Sequence, residues 1–189
     1  MQKKHIKHAG MVLAAGASSR MGRPKALLPA AGNLPLAQIQ ADVLRSGGCG
    51  RVVVVLGAEA ERIRPCLADC DVTLNKDWEK GRFTSVQAGL RALGDFDGCI
   101  ILPVDAVGLR AETVRTVLAH ASEIHAAAVR PTYRGKDGKL LWVSRALAEE
   151  LLRASPGDQR LDDLVRERAE RISVDDPALL SNVNTPEEL

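Results

Sequence analysis

Three continuous apolar runs constrain the fold of this 189-residue chain more than any other feature. They read GMVLAA at 10–15, RVVVVLG at 51–57 and CIILPVD at 99–105. Short runs that are rich in β-branched residues and lack polar alternation are typical of strands buried on both faces. Such strands need a covering layer on each side, so the runs predict a largely parallel sheet inside an α/β fold.

Helical patterns alternate with these strands. Leu36, Ile39, Val43 and Leu44 share one face before Ser46-Gly47-Gly48, which favours a helix end. Similar helical patterns cover 59–67, 85–93, 112–121, 145–154 and 161–168, and weaker strand candidates lie at 71–75, 126–131, 139–144 and 170–176. We therefore predict a three-layer, Rossmann-like α/β domain with a mostly parallel, mixed sheet. Residues 1–189 are expected to form one domain, with 1–9 as a flexible N-terminal extension.

Composition excludes several classes of partner. Aromatic residues make up only 3% of the chain and the formal net charge is +2, which favours neither base stacking nor electrostatic binding of nucleic acid. No apolar run is long enough to span a membrane, and no secretory signal follows the basic N-terminus. The four cysteines form no C-x-x-C pair and are expected to be free thiols. We expect a cytoplasmic protein without nucleic-acid or membrane partners.

The stretch LAAGASSRMGRPKALLP at 13–29 follows the first strand and contains a basic loop, residues 16–25. Glycines permit tight turns there, backbone N–H groups can bind an anion, and Arg20, Arg23 and Lys25 supply positive charge. Neither G-x-x-x-x-G-K-[ST] nor G-x-G-x-x-G is present, so the loop is neither a P-loop nor a dinucleotide fingerprint. From charge alone, a solvated basic loop remains an alternative to a phosphate site.

The order of residues in this stretch resembles L-A-A-G-x-x-x-R-M-G-x-x-K-x-L-[LV]-P, the signature of nucleoside-triphosphate nucleotidyltransferases. More narrowly, the chain resembles the molybdenum-cofactor cytidylyl- and guanylyltransferases, the MobA-like NTP transferases, of the nucleotide-diphospho-sugar transferase fold. The resemblance implies that the stretch wraps the triphosphate and the base, with arginine and lysine on the phosphates. The positions that it assigns to the nucleotide are Leu13, Ala14, Ala15, Gly16, Arg20 and Lys25.

A second stretch, NKDWEKGRFTSVQAGL at 75–90, resembles N-x-x-W-x-x-G-x-x-x-S-x-x-x-G-L of the cofactor cytidylyltransferases. The resemblance places this loop-to-helix junction over the base and ribose, with Ser85 and Asn75 as nucleotide-binding candidates. Ser85 could instead be a plain helix N-cap, and Trp78 and Phe83 could simply anchor the loop.

Asp105 ends the apolar run at 99–105, where a carboxylate is costly unless it meets water, a cation or a donor. The family resemblance makes it the catalytic Mg²⁺ ligand; the alternative is a helix-capping aspartate. The C-terminal SNVNTPEEL resembles N-V-N-T-P-E-[DE]-L of the guanylyltransferases, and an amide oxygen can complete a Mg²⁺ shell. Asn184 is thus the candidate second metal ligand, although Thr185 onward would also read as a helix start.

Two positions depart from the family pattern. Many relatives have proline where this chain has Val107, which leaves the shape of that loop open. Cytidylyl relatives usually have His-Pro where this chain has Lys139-Leu140, so the acceptor could differ from molybdopterin.

The resemblance implies transfer of a nucleoside monophosphate to a phosphorylated acceptor, with release of pyrophosphate. Arg20, Lys25 and Asp105 are the candidate catalytic residues and Mg²⁺ the cofactor. Ala15 favours CTP over GTP as donor, a molybdopterin-type cofactor is the favoured acceptor, and a molybdoenzyme-maturation protein is a candidate partner. A sugar- or alditol-phosphate nucleotidylyltransferase and a non-catalytic nucleotide-binding or cofactor-chaperone protein remain alternatives.

Overall fold

The computed structural model of the chain describes residues 6–18, 22–156 and 161–183. Its strands are β1 (His8–Ala14), β2 (Arg51–Leu56), β3 (Asp71–Leu74), β4 (Gly98–Pro103), β5 (Ala128–Tyr133), β6 (Lys136–Asp137), β7 (Leu141–Ser144) and β8 (Ala169–Ser173). Its α-helices are α1 (Leu36–Ser46), α2 (Ala60–Ile63), α3 (Arg82–Leu93), α4 (Ala111–Ile124), α5 (Arg145–Arg153) and α6 (Leu161–Val165).

The strands form one mixed sheet in the order β3-β2-β1-β4-β7-β5-β6, with β8 paired to β5. The pairs β1–β2, β1–β4, β2–β3 and β5–β8 are parallel, whereas β7 runs antiparallel to both β4 and β5. The predicted mostly parallel, mixed sheet is confirmed.

Alternate residues of the central strands pack into two separate cores, one on each face of the sheet. On β2, Val52 and Val54 join the core that contains α1 and α4, whereas Val53 and Val55 join the core that contains α3 and α5. This two-sided burial explains why the strand sequences are apolar at every position, and it confirms the predicted three layers.

Several boundaries differ from those that the sequence predicts. Strand β1 begins at His8, so residues 8 and 9, expected in an N-terminal extension, belong to the sheet. Helix α2 is a single turn followed by a 3-10 segment at Arg64–Cys66, because Pro65 lacks the amide that would continue the helix.

Among the residues that the structure describes, none of the helices combines the length and the apolar character needed to cross a lipid bilayer. The four cysteines are free thiols, as predicted; Cys49 and Cys99 are buried, and Cys66 is exposed.

Candidate functional site

A cleft of about 480 Å³ opens at the carboxyl ends of β1 and β4. The register pairs Leu13 with Pro103, and the amide of Val104 donates to the carbonyl of Leu13 at 3.0 Å. The loops that follow these parallel strands therefore converge at one edge, where open α/β sheets bind ligands. Of the candidate site residues that the structure describes, seven line this cleft: Leu13, Ala14, Ala15, Gly16, Lys25, Ser85 and Asp105.

The basic loop presents Lys25 to this cleft. Gly22 has a φ of 64°, a left-handed conformation that is accessible to glycine at no steric cost. The amide of Lys25 donates to Ser18 Oγ at 3.0 Å, which closes the loop on itself. Lys25 then opens a 3-10 turn whose neighbours Ala26 and Leu28 are buried in the core. Lys25 is thus anchored on both sides, whereas Arg20 lies outside the described residues.

Asp105 lies just beyond β4, between two lysines. Its Oδ2 is 3.4 Å from Lys25 Nζ and 3.8 Å from Lys139 Nζ, and its side chain is 23% exposed. The two lysines therefore offset the cost of placing a carboxylate at the end of a buried strand. It does not cap a helix, because α4 begins at Ala111 with Arg110 as its N-cap residue.

The loop around Asp105 is held from α1 rather than by a proline. Gln40 is 1% exposed, and its Nε2 donates to the carbonyls of Val104 and Ala106. Val107 packs against the same core. The side-chain amide of Gln40 therefore holds this loop in a chain that has valine rather than proline at position 107.

Helix α3 points its N-terminus at the cleft. It begins at Arg82, three residues before the predicted Ser85, and its N-cap residue is Gly81 with a φ of 109°. Glycine has no side chain to accept from the first-turn N–H groups, so these groups can serve a bound anion. Ser85 therefore lies inside the first turn, and its reading as the N-cap is wrong.

Asn75 does not line the cleft. It is 4% exposed, and its Nδ2 donates to Thr84 Oγ1 at 2.8 Å and to Ser85 Oγ at 3.0 Å. Its Oδ1 accepts from the amide of Asp77 at 3.0 Å. Asn75 thus ties the loop after β3 to the first turn of α3 and orients Ser85 rather than facing the cleft itself.

Positive charge is concentrated around Asp105. Desolvation by the surrounding protein lowers the pKa of Lys139 below its ordinary value, and Lys25 and Arg82 lower it further, against the opposite effect of Asp105. Arg82 is open to solvent on one side, yet desolvation also lowers its pKa, with Arg130 acting in the same direction. Three cationic side chains therefore surround one carboxylate, which is a setting that favours a polyanionic ligand.

Two oxygen donors near the cleft suit a hard divalent cation. Asp105 offers a carboxylate. Asn182 Oδ1 is buried and has no hydrogen-bond partner among the described residues, and the next amide, that of Val183, donates to the Asp105 carbonyl at 3.1 Å. Within residues 6–18, 22–156 and 161–183, no cluster of three His, Cys, Asp or Glu side chains could hold a metal by itself. This donor set fits an ion such as Mg²⁺, which commonly takes one or two carboxylates and completes its shell with substrate phosphates and water. Asn184 lies outside the described residues.

Among the described residues, sequence reasoning missed four polar contributors to the site. Ser18, Glu79 and Arg82 line the cleft, and Lys139 reaches Asp105 from a different loop. Trp78, which was considered only as a loop anchor, also lines the cleft. Arg82 was missed because the sequence predicted the start of α3 three residues too late. Lys139 stood out only as a departure from a family pattern, because its proximity to Asp105 depends on the pairing of β7 with β4.

The family model described as the MobA-like NTP transferase domain matches residues 10–172. Nicotine blue oxidoreductase from Paenarthrobacter nicotinovorans is 40% identical over 115 residues, which cover 59% of this chain and 56% of that protein. A probable molybdenum cofactor guanylyltransferase from Mycobacterium marinum is 29% identical over 197 residues and covers 96% of this chain and 90% of that protein. The chain spans about half of the first of these relatives, and 25% of the bifunctional protein GlmU from Geobacter sulfurreducens.

Among solved structures, Rv0371c from Mycobacterium tuberculosis superposes with a TM-score of 0.83 at 26% identity, covering 98% of this chain and 96% of that chain. Rv0371c in complex with manganese superposes with a TM-score of 0.73 at 25% identity over 89% and 88% of the two chains. The fold is that of the nucleotide-diphospho-sugar transferases. With its family model covering most of its length, the chain belongs to the MobA-like NTP transferase domain family, whose members are nucleotidyltransferases.

Proposed function

We propose that this chain is a Mg²⁺-dependent nucleotidyltransferase that moves a nucleoside monophosphate from a nucleoside triphosphate to a phosphorylated acceptor and releases pyrophosphate. The observation that carries the proposal is the meeting of Lys25 and Asp105, 3.4 Å apart, at the edge where β1 and β4 end. A cation for phosphate and an oxygen ligand for a metal thus share one cleft.

The triphosphate binds along the basic loop. Lys25 supplies a positive charge, and the N–H groups of the basic loop and of the first turn of α3 supply donors. Arg82 lines the same cleft and adds a guanidinium that can contact two phosphate oxygens at once. Arg20 is proposed as a further phosphate ligand from the family resemblance.

Asp105 holds the metal, with the amide oxygens of Asn182 and Asn184 as further candidate ligands. When bound, Mg²⁺ neutralises charge that builds on the α-phosphate during transfer. A manganese complex of the similar Rv0371c supports a divalent metal in this fold.

The reaction needs no general base. An acceptor phosphate is already anionic, so one of its oxygens attacks the α-phosphorus, the bond from that phosphorus to the β-phosphate oxygen breaks, and pyrophosphate leaves with the electron pair. The task of the protein residues is to align the two anions and to offset their charge, which Lys25, Arg82 and the preorganised N–H groups do.

CTP is the proposed donor. Ala15 and Trp78 both line the cleft. A methyl group at position 15 leaves less room than glycine would, which favours a pyrimidine. The relative named molybdenum cofactor guanylyltransferase makes GTP the alternative donor.

A molybdopterin-type cofactor is the proposed acceptor, a molybdoenzyme-maturation protein the proposed partner, and the cytoplasm the proposed compartment. Sugar- or alditol-phosphates are alternative acceptors. The name of the relative that is 40% identical, nicotine blue oxidoreductase, makes a redox activity a second candidate function.

The decisive experiment measures pyrophosphate release with each of the four nucleoside triphosphates, paired with a molybdopterin-type or a sugar-phosphate acceptor. We expect release that requires Mg²⁺ and an acceptor and that is fastest with CTP. Faster release with GTP would overturn the donor assignment alone. Absence of release with every pair, together with reduction of an added dye by a supplied electron donor, would instead establish the redox activity. Absence of both activities would leave a binding or chaperone protein.

A further inference from the structure

Lys139 stands on the far side of Asp105 from the basic loop. The sheet order places β4 between β1 and β7, so the loop after β1 carries Lys25 to one flank of Asp105, and the segment before β7 carries Lys139 to the other. Both ammonium groups approach the same oxygen, Asp105 Oδ2. Lys139 therefore lies beside the cleft that Asp105 lines, on the flank away from the basic loop.

The fold holds Lys139 at this place. The amide of Gly138 donates to the carbonyl of Pro131 at 2.9 Å, and Arg130 Nη1 donates to the carbonyl of Gly138 at 3.3 Å. A Cβ on Gly138 would lie 2.3 Å from Leu179, so the segment lies flat on the core, and the next residue, Leu140, is 1% exposed. The backbone on both sides of Lys139 is therefore fixed, while its side chain remains 38% exposed.

Once a divalent metal binds Asp105, the positive charges around Lys139 favour the binding of an anion. Lys25 and Lys139 share a single carboxylate, and Arg82 adds a third positive charge nearby. A divalent cation on Asp105 would compete with both lysines for this oxygen. Since Lys25 is assigned to the donor triphosphate, Lys139 is a cation on the other flank of Asp105 that can serve a second anion.

We propose that Lys139 binds the phosphate of the acceptor and holds it for attack on the α-phosphorus. The inference rests on the proposed function and names the side chain that contacts the phosphate of its second substrate. Arg130 does not share this role, because it is paired with Asp162 at 3.2 Å and with the Gly138 carbonyl. Its task is to position the segment that carries Lys139.

The kinetic test compares Lys139→Gln and Lys139→Arg with Lys136→Gln, a matched control at an exposed lysine of the nearby strand β6. Removing one charge-assisted contact typically weakens binding about 10- to 100-fold. We expect the KM for the acceptor to rise by that factor in Lys139→Gln, with the KM for the triphosphate unchanged, partial rescue in Lys139→Arg and no effect in Lys136→Gln. An unchanged acceptor KM, or an equal rise in both KM values, would overturn the proposal.

A second measurement does not depend on turnover. Acetic anhydride labels accessible lysines, and mass spectrometry reports the extent at each position. A CTP analogue with a methylene bridge between its α- and β-phosphates, given with Mg²⁺, should protect Lys25. Inorganic phosphate added to that complex should protect Lys139 and leave Lys136 unchanged.

The two measurements separate the possible failures. Labelling of Lys139 that phosphate does not slow would overturn the role of Lys139, even in an enzyme that releases pyrophosphate normally. Protection of Lys139 in a protein that releases no pyrophosphate with any substrate pair would refute the proposed function and, with it, the assignment of that phosphate as an acceptor.

Discussion

At the scale of single residues, the site depends on one carboxylate placed among cations. Asp105 is 23% exposed, and Lys25, which contacts it, is 16% exposed, so solvent screens their interaction only partly. Neither residue belongs to the two apolar cores, and both line the cleft. Their loss should therefore affect chemistry more than folding.

Lys25→Ala and Asp105→Ala should each reduce the rate of pyrophosphate release about 10²- to 10³-fold, because each removes a preorganised charge near the reacting phosphates. Rates are measured with saturating CTP and acceptor, and circular dichroism checks that the variants remain folded.

Lys76→Ala and Glu123→Gln are matched controls, since both side chains are exposed and lie outside the cleft. They should retain the activity of the parent chain. Activity near that of the parent chain in either Lys25→Ala or Asp105→Ala would contradict the assignment of the site.

At the scale of elements, the geometry of the site depends on contacts between a helix and the loop at the end of a strand. Helix α1 lies against β1 and β2, and from its buried face Gln40 reaches the carbonyls of Val104 and Ala106 on either side of Asp105. A helix that packs against the core thereby sets the position of a loop that belongs to the site.

Gln40→Leu should lower the free energy of unfolding by about 1–3 kcal/mol, because it leaves two buried carbonyls without a donor. The same change should lower kcat for pyrophosphate release, since the loop that carries Asp105 loses its contact with α1. Urea denaturation and steady-state kinetics measure the two effects separately.

Gln38→Leu on the same helix serves as the control. Gln38 is also buried but donates to Asp42 on its own helix, so its loss should leave kcat unchanged. A full loss of stability in Gln40→Leu without a change in kcat would show that Gln40 does not position Asp105.

At the scale of the whole molecule, the sheet separates two cores, and a buried thiol is found in each. Cys49 packs into the core with α1 and α4, and Cys99 into the core with α3 and α5. Burial raises the pKa of Cys49 to about 12 and raises the pKa of Cys99 as well. Since the thiolate is the reactive form, neither group is reactive near neutral pH while the fold is intact.

A disulfide reagent at pH 8 should therefore label Cys66 quickly and Cys70, whose thiol donates to Gln38 Oε1 at 3.3 Å, more slowly. Cys49 and Cys99 should react only after urea unfolds the chain. The absorbance of the released thiol reports these phases, and Cys66→Ser should remove the fast one. Rapid labelling of all four thiols in the native protein would contradict the two-core arrangement.

Much of this molecule follows from local patterns. The runs at 10–15, 51–57 and 99–105 predicted the buried strands, because a strand covered on both faces must be apolar throughout. The family motifs predicted seven residues that line the cleft. The start of α3 was missed because Gly81 caps it through its backbone conformation, which residue preferences do not reveal.

The sequence by itself determined the layer order, the parallel centre of the sheet and the candidate donor loop, since these depend on periodicity and on short ordered motifs. Only the tertiary structure decided that Asn75 orients Ser85, that Gln40 braces the loop of Asp105, and that Lys139 meets Lys25 across one carboxylate. Each of these contacts joins residues from different elements, and their distances depend on how the strands pair and how the helices pack against the sheet.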